Sequence, residues 1–423
     1  MSSEVSTAPS GLLRWRWVLA AFLLLTSALN YVDRQALSIL APVIQHDLHL
    51  SDLQYGYVVQ VFLFCYAAMY FLSGRIVDRI SVRFAEAAFL FWWSLAAMLT
   101  AFITGFRSLM VMRSLLGIGE PGNYTASAKV VSEWFPPHER GTAVGLYSMG
   151  GTLGAAVAAP LIAYLAIAFG WRSAFMATGL VGMILGIVWL ALYRRPSCKA
   201  SSIKSMDLTA ESVTTPVRLD TAALLRSKPF WTIVWTRMAT DPVWYFYLFW
   251  FPKYLQDVRG MSLAAVGKLV WLIFVAADAG SLVGGLAVAK RIKNGVSPIN
   301  ARVRLMVFAA VIPCFSFTIP LLHGYLLPVA AACCAAFAHM AWMTNATTLP
   351  LDMFPADQIG AIQGAIGALS SVAAFVSTGL IAYCVSHFSY NPVFLAASFL
   401  YPVALVVLVR LPRIFNKGVP VTA

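Results

Sequence analysis

Twelve stretches of this chain are apolar for about 20 residues each, the length an α-helix needs to cross the hydrocarbon of a bilayer. They fall at roughly 17–39, 54–74, 83–104, 108–131, 140–168, 172–193, 230–254, 262–289, 303–322, 325–350, 357–386 and 390–410. Lipid offers no water to backbone N–H and C=O groups, so such segments must satisfy their hydrogen bonds internally, as helices. Of the 423 residues 60% are apolar and only 11% charged, too few charges to coat a soluble protein of this size. The reading is an all-α integral membrane protein with twelve transmembrane helices.

One long polar connection interrupts the pattern. Residues 194–229 are rich in Ser, Thr, Lys and Arg and read as a mobile linker. They separate residues 1–193 from residues 230–423, two halves of six spans each. That is the plan of a transporter with inverted repeats nested in each half and a site where the halves meet. The net charge of +13 is scattered between apolar blocks, which argues against nucleic acid. The tails and even-numbered connections hold most of the Lys and Arg, whereas the opposite connections hold only Arg107, Arg172, Lys253, Arg259 and Lys268. By the positive-inside rule both termini and the linker are cytoplasmic. The first span reads as retained rather than as a cleaved signal. Cys65, Cys198, Cys314, Cys333, Cys334 and Cys384 form no CxxC or Cys/His ligand spacing. Disulfides, a structural metal and a cofactor are therefore not expected.

Ionisable residues inside these spans carry the chemistry, because they are costly in hydrocarbon and face a protein interior or a wet cavity. In the first span, Asn30 and Arg34 share a helix face with Tyr31, while Asp33 points about a quarter-turn away. Arg34 or Tyr31 would face a cavity and Asp33 would take part in proton coupling; the alternative is an ion pair that only holds helices together. In the fourth span, Arg113, Gly117 and Glu120 lie on one face. Arg113 suits a carboxylate clamp, since its planar fork makes bidentate contacts. Glu120 suits a proton acceptor, and Pro121 would loosen the helix at the acid. A purely stabilising charge network would use the same residues. Tyr66, with Tyr70 one turn on, is a candidate hydrogen-bond partner for substrate.

Between spans two and three, the segment Gly74 to Arg83 holds Asp78, which could pair with basic residues across the halves and lock one conformation. In the second half, Arg237 and Asp241 are four apart and could pair. An aromatic run follows, in which Trp244 and Tyr247 could pack on a sugar-like ring. Trp342, Asn345 and Thr348 recur every three residues along one stripe, with Asn345 a candidate ligand for hydroxyls. Asp278 has no obvious local partner, and His339 reads as packing or gating. The first half thus carries arginines and acids and the second amides, hydroxyls and rings. This polarity suits a small, anionic, polyhydroxylated substrate.

Taken with these motifs, the chain resembles the anion:cation symporter family of the major facilitator superfamily. The twelve-span layout and the Gly74–Arg83 loop resemble the superfamily. Asn30-Tyr-Val-Asp-Arg34 and Arg113…Gly117…Glu120 resemble the branch of sugar-acid and organic-anion carriers. Thr240-Asp-Pro-Val-Trp-Tyr-Phe-Tyr-Leu-Phe-Trp-Phe-Pro-Lys-Tyr-Leu255 and Lys129-Val-Val-Ser-Glu-Trp-Phe135 are similar to the hexuronate carriers. The resemblance implies a proton-coupled symporter of the bacterial inner membrane, importing a hexuronate such as glucuronate or galacturonate. It implies proton-coupling roles for Asp33 and Glu120, and substrate roles for Tyr31, Arg34, Tyr66 and Arg113. Trp244, Tyr247, Trp342 and Asn345 are the substrate candidates of the second half; Asp78, Arg79, Arg83 and Arg140 are the gating candidates.

Its expected partners are a small organic anion, protons and membrane lipid; it is expected to be a monomer that binds no nucleic acid. Gly151 stands where a sugar-acid carrier of the family has glutamine, and the segment Gly364–Ser371 lacks an asparagine found in related carriers. The second-half repeat of the gating loop, around Gly284–Arg291, lacks the aspartate, so the lock should rest mainly on the first half. Another organic anion (an aldonate, tartrate or aromatic carboxylate) is the main alternative substrate, ahead of an exporter or an anion channel. No nucleophile–base arrangement supports an enzyme.

Overall fold

The computed structural model describes residues 10–194, 221–261 and 263–412, and these residues are helical nearly throughout. Helices α1 (Ser10–Ile39), α2 (Ala41–Asp47), α3 (Asp52–Arg79), α4 (Val82–Thr100), α5 (Phe106–Gly119), α6 (Pro121–Trp134), α7 (Pro137–Phe169) and α8 (Trp171–Leu192) precede the middle connection. After it come α9 (Thr221–Arg226), α10 (Lys228–Tyr245), a π-helical turn (Phe246–Trp250), α11 (Phe251–Asp257), α12 (Leu263–Lys293) and α13 (Pro298–Val311). A 3-10 segment (Pro313–Leu321), α14 (Leu326–Met353), α15 (Ile359–His387) and α16 (Asn391–Leu408) complete the chain.

Among the described residues, nine helical segments are long and apolar enough to cross a membrane, or ten with α7, which bends by 40° at Pro160. This is fewer than the twelve apolar stretches suggest. The fourth stretch falls short because it is divided into α5 and α6 at Glu120 and carries Arg113, Glu120 and Lys129. The seventh is divided by the π-turn after Pro242 and carries Arg237 and Asp241. Proline removes a backbone donor, and a π-turn within a helix often marks a functional site. Of the expected linker 194–229, residues 195–220 lie outside the described residues. Its last part is ordered: α9 ends at Arg226, and Ser227 caps α10 by accepting from the Phe230 amide at 3.3 Å.

Lipid tails are as apolar as leucine, so helices in a membrane associate by close packing and polar contacts rather than by escape from water. Small residues supply the packing. Gly150 and Gly154 of α7 lie against the α1 backbone at Leu24 and Ala28. Gly141 of α7 meets Gly285 of α12, where a Cβ on Gly285 would lie 2.7 Å from the Gly141 carbonyl carbon. Gly74 of α3 meets Gly360 of α15 just as closely. These last two crossings join helices before residue 194 to helices after residue 221.

Replacing Gly285 by Leu should force the α7–α12 crossing apart while the protein still inserts. Spin labels on exposed cysteines at positions 79 and 293, in a background without native cysteines, should then move to longer separations. An unchanged distance distribution would mean that this crossing does not hold the two sets of helices together.

Candidate functional site

Four charged groups alternate in the interior of the first set of helices. Arg34 reaches from α1 to Glu120 at the α5–α6 junction, donating from Nη2 at 2.7 Å and from Nε at 3.1 Å to the same oxygen, Oε2. Glu120 is wholly buried, and its Oε1 has no hydrogen-bond partner. The Arg34 side chain remains 29% exposed, so this guanidinium has an open side. Arg113 is buried against the face of Phe175, with Nε and Nη2 unpaired. It lies in the field of both Asp33 and Glu120 and bonds to neither. Asp33 is buried too; Thr178 and Trp93 stand beside it without completing a hydrogen bond of good geometry. Arg34 thus has an open side, whereas Arg113 is buried beside Glu120 and Asp33 with donors unpaired.

Local sequence explains the geometry. Pro121 has no N–H for the Gly117 carbonyl, so the helix loosens at Glu120, although φ −59° and ψ −39° keep that residue helical. Gly117 lets α5 approach α3, where a Cβ would lie 2.6 Å from the Phe62 carbonyl oxygen.

Aromatic rings enclose the open side of Arg34. Its guanidinium carbon lies 4.7 Å from the Tyr66 ring centroid, 5.1 Å from Tyr31 and 5.4 Å from Phe62. Such contacts stabilise a cation without using its hydrogen-bond donors. Tyr66 meets Tyr70 edge-on at 5.6 Å, and Tyr70 stacks on Tyr124 at 6.4 Å. Gly151 is explained by the same wall: a Cβ there would lie 2.7 Å from Cε2 of Tyr31, so the ring occupies the room a larger side chain would need.

Across these rings stands a second ion pair, on α10. Arg237 and Asp241 share three contacts of 3.0, 3.2 and 3.0 Å, and Arg237 Nη1 donates to Thr347 at 3.2 Å. Tyr70 and Tyr147 lie in the field of Arg237. Tyr245, one turn beyond Asp241, lies in the field of Asp241, Tyr31 and Arg34. Tyr245 is the functional candidate that sequence reasoning missed. Its signal was present, because Arg237, Asp241 and Tyr245 recur every four residues and share a helix face.

The other second-half candidates are committed within the protein. Trp244 stacks on His339 with centroids 5.7 Å apart. The Tyr247 hydroxyl pairs with Ser316 at 2.9 Å. Trp342 donates to Thr240 at 3.2 Å and meets Tyr401 edge-on. Asn345 is buried, accepts from Arg302 at 3.2 Å and donates to the Ala341 carbonyl at 2.9 Å. Through Arg302 it joins a charge cluster. Asp278, for which the sequence suggested no local partner, accepts from Thr152 of α7.

That charge cluster closes one end of the molecule. Buried Asp352 takes Arg140 on Oδ1 at 2.8 Å and Arg302 on Oδ2 at 2.6 Å. Arg140 also donates to the carbonyls of Leu351 and Phe135, and Arg302 to the carbonyl of Pro137 at 2.9 Å. Beside it, Asp78 accepts from the amides of Gly360 and Ala361 at 3.0 and 2.6 Å and from Lys129 at 2.7 Å. A carboxylate at these first amides of α15 also meets the positive end of the helix dipole. Asp78 and Arg140 thus bridge the two sets of helices. Arg83 instead donates to Leu190 of α8 at 3.1 Å, within its own set, and Arg79 is exposed. Asp352 and Arg302 both come from the second half, so the ion pairs at this end do not rest mainly on the first, where the sequence placed them. They lie outside the loop repeat and left no motif to recognise.

At the opposite end two clasps among the described residues are each internal to one set. Asp47 accepts from Trp171 at 2.9 Å and Arg172 at 3.0 Å. Asp257 accepts from Lys253 at 2.6 Å and Tyr390 at 2.8 Å. The Trp171 and Arg172 hydrogen bonds hold the Asp47 carboxyl below the usual range, and the Lys253 and Tyr390 bonds do the same for Asp257. The pH must therefore fall below the ordinary carboxylate range before these clasps are lost.

Comparison with known proteins agrees with this architecture. The sequence profile of the Major Facilitator Superfamily matches residues 23–378. The chain belongs to that superfamily. It is therefore a multi-pass membrane transporter and not an enzyme. The chain is 26% identical over 387 residues to the hexuronate transporter of Escherichia coli K12, covering 90% of each chain. It is 31% identical over 279 residues to the hexuronate transporter of Bacillus subtilis 168, covering 65% of this chain and 66% of that one. Its fold is similar to that of the proton:xylose symporter XylE, with a TM-score of 0.74, 14% identity and 96% of each chain covered.

Replacing Asp352 by Asn should leave Arg140 and Arg302 without their common counter-charge. Breaking a buried pair of this kind costs ~3–5 kcal/mol. That should favour opening of this end by roughly 100-fold or more. A cysteine at Ser132, behind Arg140, should react with maleimide correspondingly faster in the variant; equal rates would mean that Asp352 does not close this end.

Proposed function

We propose that the chain is a proton-coupled symporter that imports a sugar acid, a hexuronate in first place, by alternating access. The observation that carries the reading is the Arg34–Glu120 pair, a partly exposed guanidinium held by a buried carboxylate with one oxygen unpaired. A proton on Glu120 cancels its charge and releases the open side of Arg34 to a substrate carboxylate. Asp33 and Arg113 form the second acid–base pair behind it, so that a proton entering here redistributes over a connected set of charges. With substrate bound, the buried charge is compensated and the site can close. Loss of the proton restores a carboxylate that competes for Arg34 and expels the anion. The rings of Tyr31, Tyr66, Tyr70 and Tyr245 suit a polyhydroxylated body, presenting hydroxyls and apolar faces together. The names of the hexuronate transporters among the relatives support the substrate class.

In this reading the twelve apolar stretches are twelve spans, in halves 1–193 and 230–423 joined by 194–229, with both termini cytoplasmic in a bacterial inner membrane. The stretches that fall short as single helices are those that carry site charges. The end closed by Asp352 and Asp78 is then the cytoplasmic gate, and the described conformation faces outward. A different organic anion is a second reading, favoured by the room that Tyr31 takes at Gly151.

Purified protein in liposomes should accumulate labelled glucuronate when the outside is acidic. Glu120→Gln should abolish uptake driven by the pH gradient while leaving exchange of preloaded substrate. Gradient-driven uptake that survives this change would rule out Glu120 as the coupling acid. Failure of any sugar acid to be carried would favour the second reading.

A further inference from the structure

The two ion pairs, with Tyr245 in the field of both Arg34 and Asp241, are built differently. Arg34 and Glu120 are 86 residues apart and lie on separate helices, so either can move away from the other. Arg237 and Asp241 are one turn apart on the same helix, and both side chains are largely buried, at 15% and 8% exposure. Helical geometry alone keeps them together. Both Asp241 oxygens accept from Arg237 Nε, and a third contact comes from Nη2. Thr347 takes Nη1, and Gln363 fixes that stretch of α14 by donating to the Thr347 carbonyl at 2.7 Å. The second arginine of the site is thus already occupied by a carboxylate that belongs to the chain.

That arrangement bears on what can lie between the pairs. An acid whose carboxylate is held by Arg34 extends its other end toward Tyr70, Tyr147 and Tyr245, which lie in the field of Arg237 or Asp241. A hydroxyl or carbonyl oxygen there meets a neutral ion pair with donors to spare: a guanidinium has five N–H groups, of which three are engaged. A second carboxylate meets Asp241 in a poorly screened site, and like charges in such sites repel strongly. We propose that Asp241 is a specificity residue, a resident carboxylate that reserves Arg237 and admits acids with one carboxylate while excluding diacids of the same length. The inference rests on the reading of Arg34 as the substrate's carboxylate anchor.

The test is competition. In proteoliposomes carrying out gradient-driven glucuronate uptake, the inhibition constants of unlabelled glucuronate and of glucarate, its six-carbon diacid, are measured side by side. Their ratio does not depend on how much protein is active, so a merely structural role would not move it. In the parent protein glucarate should be weaker by roughly tenfold or more. Asp241→Asn should shift the ratio toward glucarate by at least about tenfold, and Asp241→Glu should restore the parent ratio. Equal inhibition by the two acids in the parent protein overturns the proposal even if no variant can be purified. So does an Asp241→Asn protein with the parent ratio. If neither acid inhibits and no sugar acid is carried, the transport reading itself fails, which is a distinct result.

Discussion

A charge at the depth of a bilayer must find compensation inside the protein, and that requirement organises this molecule. Arg34 and Glu120 neutralise one another between α1 and the α5–α6 junction, with Arg113 and Asp33 continuing the alternation inward. Helix α5 ends where the acid must reach α1, and the π-turn follows α10 just beyond Asp241 and Tyr245. Helical regularity is given up where charge has to be served.

The same rule governs the closed end with a different outcome. Asp352 accepts from one arginine of each set of helices, and Asp78 accepts from the first amides of α15. Parting the two sets of helices where they meet would take Arg140 from Asp352 and the α15 amides from Asp78, leaving each acid only the cation of its own set, Arg302 and Lys129. The glycine crossings at Gly141–Gly285 and Gly74–Gly360 make that meeting possible by bringing backbones together. Polar bonds and close packing are therefore coincident here, so opening must break both at once.

How much of this was legible in the sequence depended on whether the signal was local. Apolar length located the helices, and Asn30-Tyr-Val-Asp-Arg34 marked the first arginine. The i,i+4 spacing marked the Arg237–Asp241 pair, which forms as expected. The partner of Glu120 was not legible: Arg113 shares its helical stretch, yet Arg34, 86 residues away, makes the bond. Nor was the role of Asp352, whose neighbours in sequence are apolar and whose partners come from α7 and α13. The bond from Arg302 to Asn345 was hidden for the same reason, since nothing near Asn345 in sequence announces it. Aromatic runs carry a further ambiguity, because a ring that packs and a ring that binds look alike until its hydroxyl or ring nitrogen is located, as with Tyr247 on Ser316.

The two internal clasps, Asp47 with Trp171 and Arg172, and Asp257 with Lys253 and Tyr390, have a consequence for how such a protein can change over generations. Neither clasp ties the two sets of helices to each other, whereas Asp352 and Asp78 do so at the other end. On the proposed function, substitutions around Asp352 would alter how fast the molecule turns over without touching the groups that recognise its cargo. Those around Asp241 and Tyr245 would alter the cargo without resetting the tempo. Speed and taste would then be inherited through separate parts of the chain.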